Sequence, residues 1–382
     1  MAKWTSICSI LLLSATCLFV YLFGSYFDKV PSEGRSKHYE NDYFGSTSIR
    51  GTCTPARNIV FIKVPKCGGS TITNVFQRYG EKHSLRFLFP KFGDVLIKPR
   101  DIRDHIGDDV NLIVNHVQFI ENDMRKLMPR GTVYIGVLRN PLEQLKSLYN
   151  FAKKGIMKNG TIVSLADFEE NPWKYQYVRI PKNQQSSYYG HLNKISTSQE
   201  IEEFILHVDS MFNLILITDH MKESIVLLGE LLCWTLDDML YVSQKVAADG
   251  KLGSLSTTSF DHTTNRALAE RNYRIYSKVD YAMFEFFNKT LWRKIKAMGR
   301  RFEERLGKFD ALLDSFHKRC KYTSESLGLS DEFVNSVIKE DSDSDDYLCH
   351  RMLLPSPLYI KYILRPNQNS RLQSFNNKVV LK

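Results

Sequence analysis

The chain has 382 residues, 43% of them hydrophobic and 25% charged. That mixture excludes a disordered chain, a collagen-like repeat and a small disulfide-stapled scaffold. Lys and Arg number 52 against 42 Asp and Glu, a net charge of +10. The excess suits an anionic ligand (phosphate, sulfate, nucleic acid or an acidic membrane face) without choosing among them.

From Trp4 to Phe27 no residue is charged. Roughly 20 apolar residues are needed to cross about 30 Å of hydrocarbon as a helix, and this stretch suffices. It is also longer than the apolar core of a cleaved signal peptide. The expectation is therefore a membrane-spanning signal-anchor at 5–27, with residues 1–4, including Lys3, on the cytosolic side. Residues 28–56, rich in Ser, Gly and Tyr, read as a stem. Residues 57–382 then form one lumenal domain.

Cysteine usage agrees with an oxidising compartment. Beyond the apolar span lie Cys53, Cys67, Cys233, Cys320 and Cys349, an odd number that leaves at least one thiol out of any intrachain pairing. Cys320 and Cys349 flank the acidic run Glu340–Asp346, so a disulfide closing that region is one of the pairings open to the five cysteines. Asn159 and Asn288 open glycosylation sequons. No spacing of His and Cys suggests a metal site.

Asn58–Ile62 reads as a short buried strand, and Ile72, Val75, Phe76 and Tyr79 then recur on one face of a helix. Asn111–Val114 and Thr132–Leu138 are a second and third strand. The helix after the third is signalled by Asn140 as its cap, Pro141 at its first position and Glu143 three beyond the cap. Leu214–Ile217 is a fourth strand, followed by a helix over His220–Leu232. Strands alternating with helices predict an α/β domain: a parallel sheet flanked by helices, with further helices packed on it from the C-terminal part.

Two loops carry the chemistry. Lys63-Val64-Pro65-Lys66-Cys67-Gly68-Gly69-Ser70-Thr71 joins the first strand to its helix. Glycines let backbone N–H groups close round an anion, and the helix N-terminus adds partial positive charge. Lys66 adds a full charge, and Ser70 and Thr71 add hydroxyls. In the ATPase loop the lysine follows the last glycine; here Lys66 precedes both, which argues against an ATPase or kinase. In the second loop Arg139 ends the third strand, where open α/β sheets bind ligands. Its guanidinium suits a phosphate, and Ser147 stands eight residues beyond it.

Taken together these residues resemble the sulfotransferases that use 3′-phosphoadenosine 5′-phosphosulfate. Lys66 to Thr71, with Lys63, look like that family's 5′-phosphosulfate loop, and Arg139 with Ser147 like its 3′-phosphate pair. The likeness sharpens to the Golgi galactose 3-O-sulfotransferases through Gly80-Glu81-Lys82-His83, Asn115-His116, Leu231 to Asp238 and Phe287 to Trp292. It runs from about Cys53 to Trp292 and fades after Cys320. Cys67 stands where that family usually has Thr, and Gly69 where Ser is usual.

The resemblance implies a P-loop-like sulfotransferase fold and a Golgi enzyme of single-pass type II topology. It implies the phosphosulfate nucleotide as donor, no metal, and His116 as general base with Lys66 as the cation on the leaving group. The acceptor it implies is a terminal β-galactose on a glycolipid or glycoprotein glycan, sulfated at O-3. A glycosaminoglycan uronic acid sulfated at O-2 is the alternative, because Val64-Pro65-Lys66 and His116-Val117 also resemble those enzymes. A catalytically silent glycan- or nucleotide-binding protein is the alternative of another class. Nucleic acid is not expected as a partner in a lumen. Acceptor contacts are expected around Asn183 to Gly190, and Trp234 and Trp292 are read as core residues before sugar-stacking ones.

Overall fold

A computed structural model of the chain describes residues 53–91, 96–151, 156–158, 161–175, 182–191, 197–243, 266–320 and 347–364. The expected signal-anchor at 5–27, most of the stem, Asn159 and the acidic run lie outside them. Among the described residues no helix is long and apolar enough to cross a membrane.

Strand β1 is Ile59–Ile62, and it leads through a loop into helix α1, Gly69–Lys82. There follow β2 (Leu96–Ile97), α2 (Pro99–Asp104), β3 (Leu112–Ile113), β4 (His116–Val117) and α3 (Glu121–Leu127). Strand β5, Val133–Leu138, feeds α4, Pro141–Phe151. A hairpin of β6 (Ile156–Lys158) and β7 (Thr161–Val163) precedes α5 (Leu165–Glu170), α6 (Gln184–Ser187) and α7 (Ser198–Met211). Strand β8, Leu214–Ile217, precedes α8, Met221–Leu232. The remaining described elements are helices: α9 (Arg266–Tyr276), α10 (Lys278–Met298), α11 (Arg300–Arg319), α12 (Tyr347–Leu353) and α13 (Ser356–Ile363).

The central sheet has the order β3-β1-β5-β8, and all three of its pairings are parallel. Every residue of β1 and β8 is buried, as expected of strands covered on both faces. Fully burying each Ile or Val of such a strand stabilises the fold by roughly 1.5–3 kcal/mol. The four apolar positions of α1 pack inward as their spacing requires: Ile72, Val75 and Phe76 are fully buried and Tyr79 nearly so. Phe76 meets Phe61 of β1, and Tyr79 stacks on Trp234 with ring centroids 3.4 Å apart. Trp234 is thus a core residue, and its indole N–H donates to the Ala56 carbonyl at 3.1 Å.

The expected second strand is shorter than its apolar run. It stops at Ile113 because the Val114 carbonyl turns to accept the Thr73 hydroxyl at 2.9 Å. The chain then enters a second, two-stranded parallel sheet in which His116 pairs with Leu96 and Val117 with Ile97. His116 therefore begins a strand of its own. Neither this sheet nor the β6–β7 hairpin was expected, since strands of two or three residues leave no periodicity to read.

Two disulfides tie the domain. Cys53–Cys233 joins the segment before β1 to the end of α8, and Cys320–Cys349, one of the pairings the sequence left open, joins α11 to α12. Cys67 is the free cysteine among the described residues. Past Cys349, helices α12 and α13 dock on α1: Asn74 donates to the Arg351 carbonyl at 2.9 Å, and Gln77 to the Ser356 hydroxyl at 3.2 Å. The hydroxyls of Tyr347 and Tyr359 both donate to Glu81.

Candidate functional site

The strand order places β1 between β3, which follows it, and β5, which follows β3. Strand order therefore reverses beside β1, and the rule for open α/β sheets puts the ligand crevice past the carboxyl ends of β1 and β5 at this switch point. Both sequence-identified loops emerge there.

The first loop is tightly wound. Lys66 and Gly68 lie at φ 64° and 67°, in the left-handed region. Gly68 suits that geometry without cost; a Cβ there would also fall 2.7 Å from the Met221 side chain. Gly69 opens α1, and a Cβ on it would lie 2.7 Å from the Lys63 stem. A serine in its place would collide with Lys63 as that side chain stands, a physical reason for glycine at this position. Ser70 is half-buried and Thr71 buried in the first turn, where backbone N–H groups and the helix dipole favour an anion.

Arg139 follows β5, and its guanidinium donates to the Lys66 carbonyl at 3.2 Å. The two loops are therefore in contact. The Lys66 ammonium sits 4.3 Å from the ring centroid of the exposed Phe151 at the end of α4. Ser147 is half-buried in the second turn of α4. Asn140 caps that helix, its side-chain oxygen accepting from the N–H groups of Leu142 and Glu143 at 3.0 and 3.2 Å. The expected reciprocal bond from Glu143 is replaced: the Asn140 N–H donates to Asp219 at 3.0 Å, and Glu143 pairs with Lys146.

His116 reaches the same crevice from β4. Its Nδ1 lies 2.8 Å from the Lys63 carbonyl. A carbonyl only accepts, so Nδ1 carries the hydrogen and the neutral ring presents Nε2 as a proton acceptor. The Tyr188 ring stands edge-on, its centroid 6.5 Å away.

Cys67 turns away from the crevice. Its side chain is fully buried, and burial pushes the thiol well above its usual range, so it stays protonated. It donates to the Gln185 side-chain oxygen at 3.5 Å. As a donor to an anion in the crevice, Cys67 can offer only its backbone. Asn183 to Gly190, where acceptor contacts were expected, is largely internal: Gln185 and Ser186 are fully buried. The Tyr189 hydroxyl accepts from the Val137 N–H at 2.8 Å and donates to its carbonyl at 3.0 Å, one residue past the last β1–β5 pairing. Gly136 admits this ring, since a Cβ there would lie 2.4 Å from the hydroxyl.

Beneath this segment lies Asp280, the third residue of α10, which sequence reasoning did not single out. It accepts from the N–H groups of Gln185 at 3.0 Å and Ser186 at 2.8 Å. Burial raises its carboxyl to about 6 despite these bonds. The folded value lies above the ordinary carboxylate value of about 3.9, so the folded state holds the proton more tightly. That contribution to stability is complete below about pH 4 and is lost as pH rises through about 6, a difference of about 3 kcal/mol. Chemical denaturation of the wild type and Asp280→Asn from pH 4 to 7 should show their difference moving against the wild type by about this amount. A pH-independent difference would mean that Asp280 does not titrate in this range.

Of the two tryptophans, Trp292 departs from the core reading: it is 42% exposed on α10 and meets His220 edge-on, with centroids 4.9 Å apart. Asn288 is half-buried on the same helix, one turn before Trp292. Among the described residues no cluster of three His, Cys, Asp or Glu is arranged to hold a metal ion.

Comparison with known proteins meets this geometry from outside. A family model described as galactose-3-O-sulfotransferase matches residues 2–321, ending before α12. Galactosylceramide sulfotransferase of Homo sapiens is 27% identical over 349 residues, covering 81% of this chain and 78% of that protein. Galactose-3-O-sulfotransferase 2 of Mus musculus is 28% identical over 261 residues, 64% of each. Galactose-3-O-sulfotransferase 3 of Homo sapiens is 27% identical over 280 residues, 66% of this chain and 63% of that protein. An α/β domain with two cationic loops meeting at its switch point, matched over most of its length by this family, belongs to the galactose-3-O-sulfotransferases and is a carbohydrate sulfotransferase.

Proposed function

We propose that the chain transfers a sulfuryl group from 3′-phosphoadenosine 5′-phosphosulfate to the 3-hydroxyl of a terminal β-galactose on a glycolipid or glycoprotein glycan. The observation that carries this reading is the convergence of Lys66, Arg139 and His116 on one crevice. The loop from Lys63 to Thr71 receives the 5′-phosphosulfate, and Arg139 with Ser147 the 3′-phosphate. The galactose oxygen attacks sulfur as the bond from sulfur to the phosphate oxygen breaks. The hydroxyl proton passes to Nε2 of His116, and adenosine 3′,5′-bisphosphate leaves, its growing negative charge met by Lys66 and the N-terminus of α1. As in phosphoryl transfer, positioning and electrostatics do most of the work. The relatives are named for galactose or galactosylceramide, which favours that acceptor over a uronic acid.

The same reading puts the catalytic domain in the Golgi lumen, held by the apolar segment 5–27 as a type II anchor, with residues 28–56 as the stem and Asn159 and Asn288 as glycan acceptors. One preparation tests both halves. Sealed vesicles carrying the full chain should protect it from external protease. After permeabilisation they should move radiolabelled sulfate from the donor nucleotide to galactosylceramide or lactosyl glycans, but not to heparan chains. Label on heparan alone would overturn the acceptor, and digestion in sealed vesicles the topology.

A further inference from the structure

Lys66 and Arg139, on the two loops assigned to the donor, are 73 positions apart in sequence, and one carboxamide reaches both loops. Gln185 is fully buried. Its oxygen accepts from the Arg139 backbone N–H at 2.9 Å and from the Cys67 thiol at 3.5 Å, while its nitrogen donates to the Arg139 carbonyl at 2.8 Å. It thus closes both backbone groups of Arg139 and touches the Lys66 loop at once. A second glutamine pair braces the other side: Gln144 donates to the Pro65 carbonyl at 2.9 Å and to the Gln184 side-chain oxygen at 3.1 Å. The short helix α6 that carries Gln184 and Gln185 is itself held on α10. Asp280 takes the N–H groups of Gln185 and Ser186, and Asn183, at φ 53°, accepts from the Val279 N–H at 3.2 Å.

We infer that Gln185 is a positioning residue for donor binding, which fixes the Arg139 backbone against the Lys66 loop so that both ends of the nucleotide are gripped together. The inference rests on reading Arg139 as the ligand of the 3′-phosphate. Gln185 touches no part of the substrate; it acts through Arg139. This gives it a signature that a role in overall stability lacks. Loss of Gln185 should erode recognition of the 3′-phosphate specifically, and only while Arg139 is present.

The experiment is calorimetric binding of adenosine 3′,5′-bisphosphate and adenosine 5′-monophosphate to the wild type, Gln185→Met, Arg139→Ala and the double variant. Methionine keeps the volume and removes both polar atoms. Gln185→Met should bind the bisphosphate about tenfold more weakly and the monophosphate within about twofold of the wild type, the scale of one or two backbone-held contacts. Arg139→Ala should lose about tenfold to a hundredfold for the bisphosphate alone. The double variant should be no worse than Arg139→Ala, because residues that act as one unit do not add. Equal losses for both nucleotides, undiminished bisphosphate binding by folded Gln185→Met, or multiplying losses in the double variant would overturn the inference. Unchanged discrimination in Arg139→Ala would instead overturn the donor reading beneath it. Should Gln185→Met not fold, Gln185→Leu removes the same two polar atoms with a shorter, branched side chain. It should show the same selective loss, and equal losses for both nucleotides would count against the inference.

Discussion

His116→Ala should lower kcat by about 10²–10⁴-fold while donor affinity stays near that of the wild type, the range expected for removal of a general base. The Lys63 carbonyl fixes the tautomer, so under the proposed mechanism Nε2 is the atom that would receive the acceptor's proton. Wild-type activity should rise with pH as the imidazole loses its proton, because only the neutral ring can accept another. That limb should be absent in the variant. His116→Asn serves as a second probe, since the asparagine amide nitrogen stands where Nδ1 does and can still donate to the Lys63 carbonyl but is no base. It should be as slow as the alanine variant. Full turnover by either folded variant would return His116 to a structural role, as a tie between β4 and the Lys63 backbone.

Lys66→Ala should lower kcat by about 10²–10³-fold and also weaken donor binding by about tenfold. The double effect distinguishes it from His116. A cation in contact with the phosphosulfate is felt in the ground state, and more strongly as charge develops on the leaving phosphate. The backbone complicates the reading, because Lys66 is held at φ 64°, which alanine tolerates poorly. Lys66→Gly removes the same charge and fits that φ. If electrostatics carry the effect, both variants lose alike in steady-state kinetics. Recovery of activity in the glycine variant would assign the loss to loop strain and take Lys66 out of the chemistry.

Much of this architecture is legible in the sequence, for identifiable reasons. The strands β1, β5 and β8 are continuous apolar runs because both faces are covered, and α1 shows its buried face at helical spacing. The loop from Lys63 to Thr71 is readable because its glycines answer local demands: a left-handed turn at Gly68 and the Lys63 stem pressed on Gly69. The odd cysteine count required at least one thiol outside any intrachain pairing, and Cys67 is that thiol among the described residues.

What sequence could not supply were contacts between residues far apart in the chain. Nothing near Gln185 announces that its carboxamide closes on Arg139, 46 positions earlier, or that Asp280, 95 positions later, seats it. Cys67 is placed in the loop by its neighbours in sequence; only the packed interior shows the thiol turned inward and kept protonated by burial. His116 lies just beyond the apolar run of the second strand, and only the pairing with Leu96 gives it a strand of its own. The sequence by itself determined the strands of the central sheet, the two loops at their carboxyl ends and the family, since these depend on periodicity and on neighbours a few residues apart. The tertiary structure decided how the loops are held together, because a buried polar group must find its partners wherever the fold brings them.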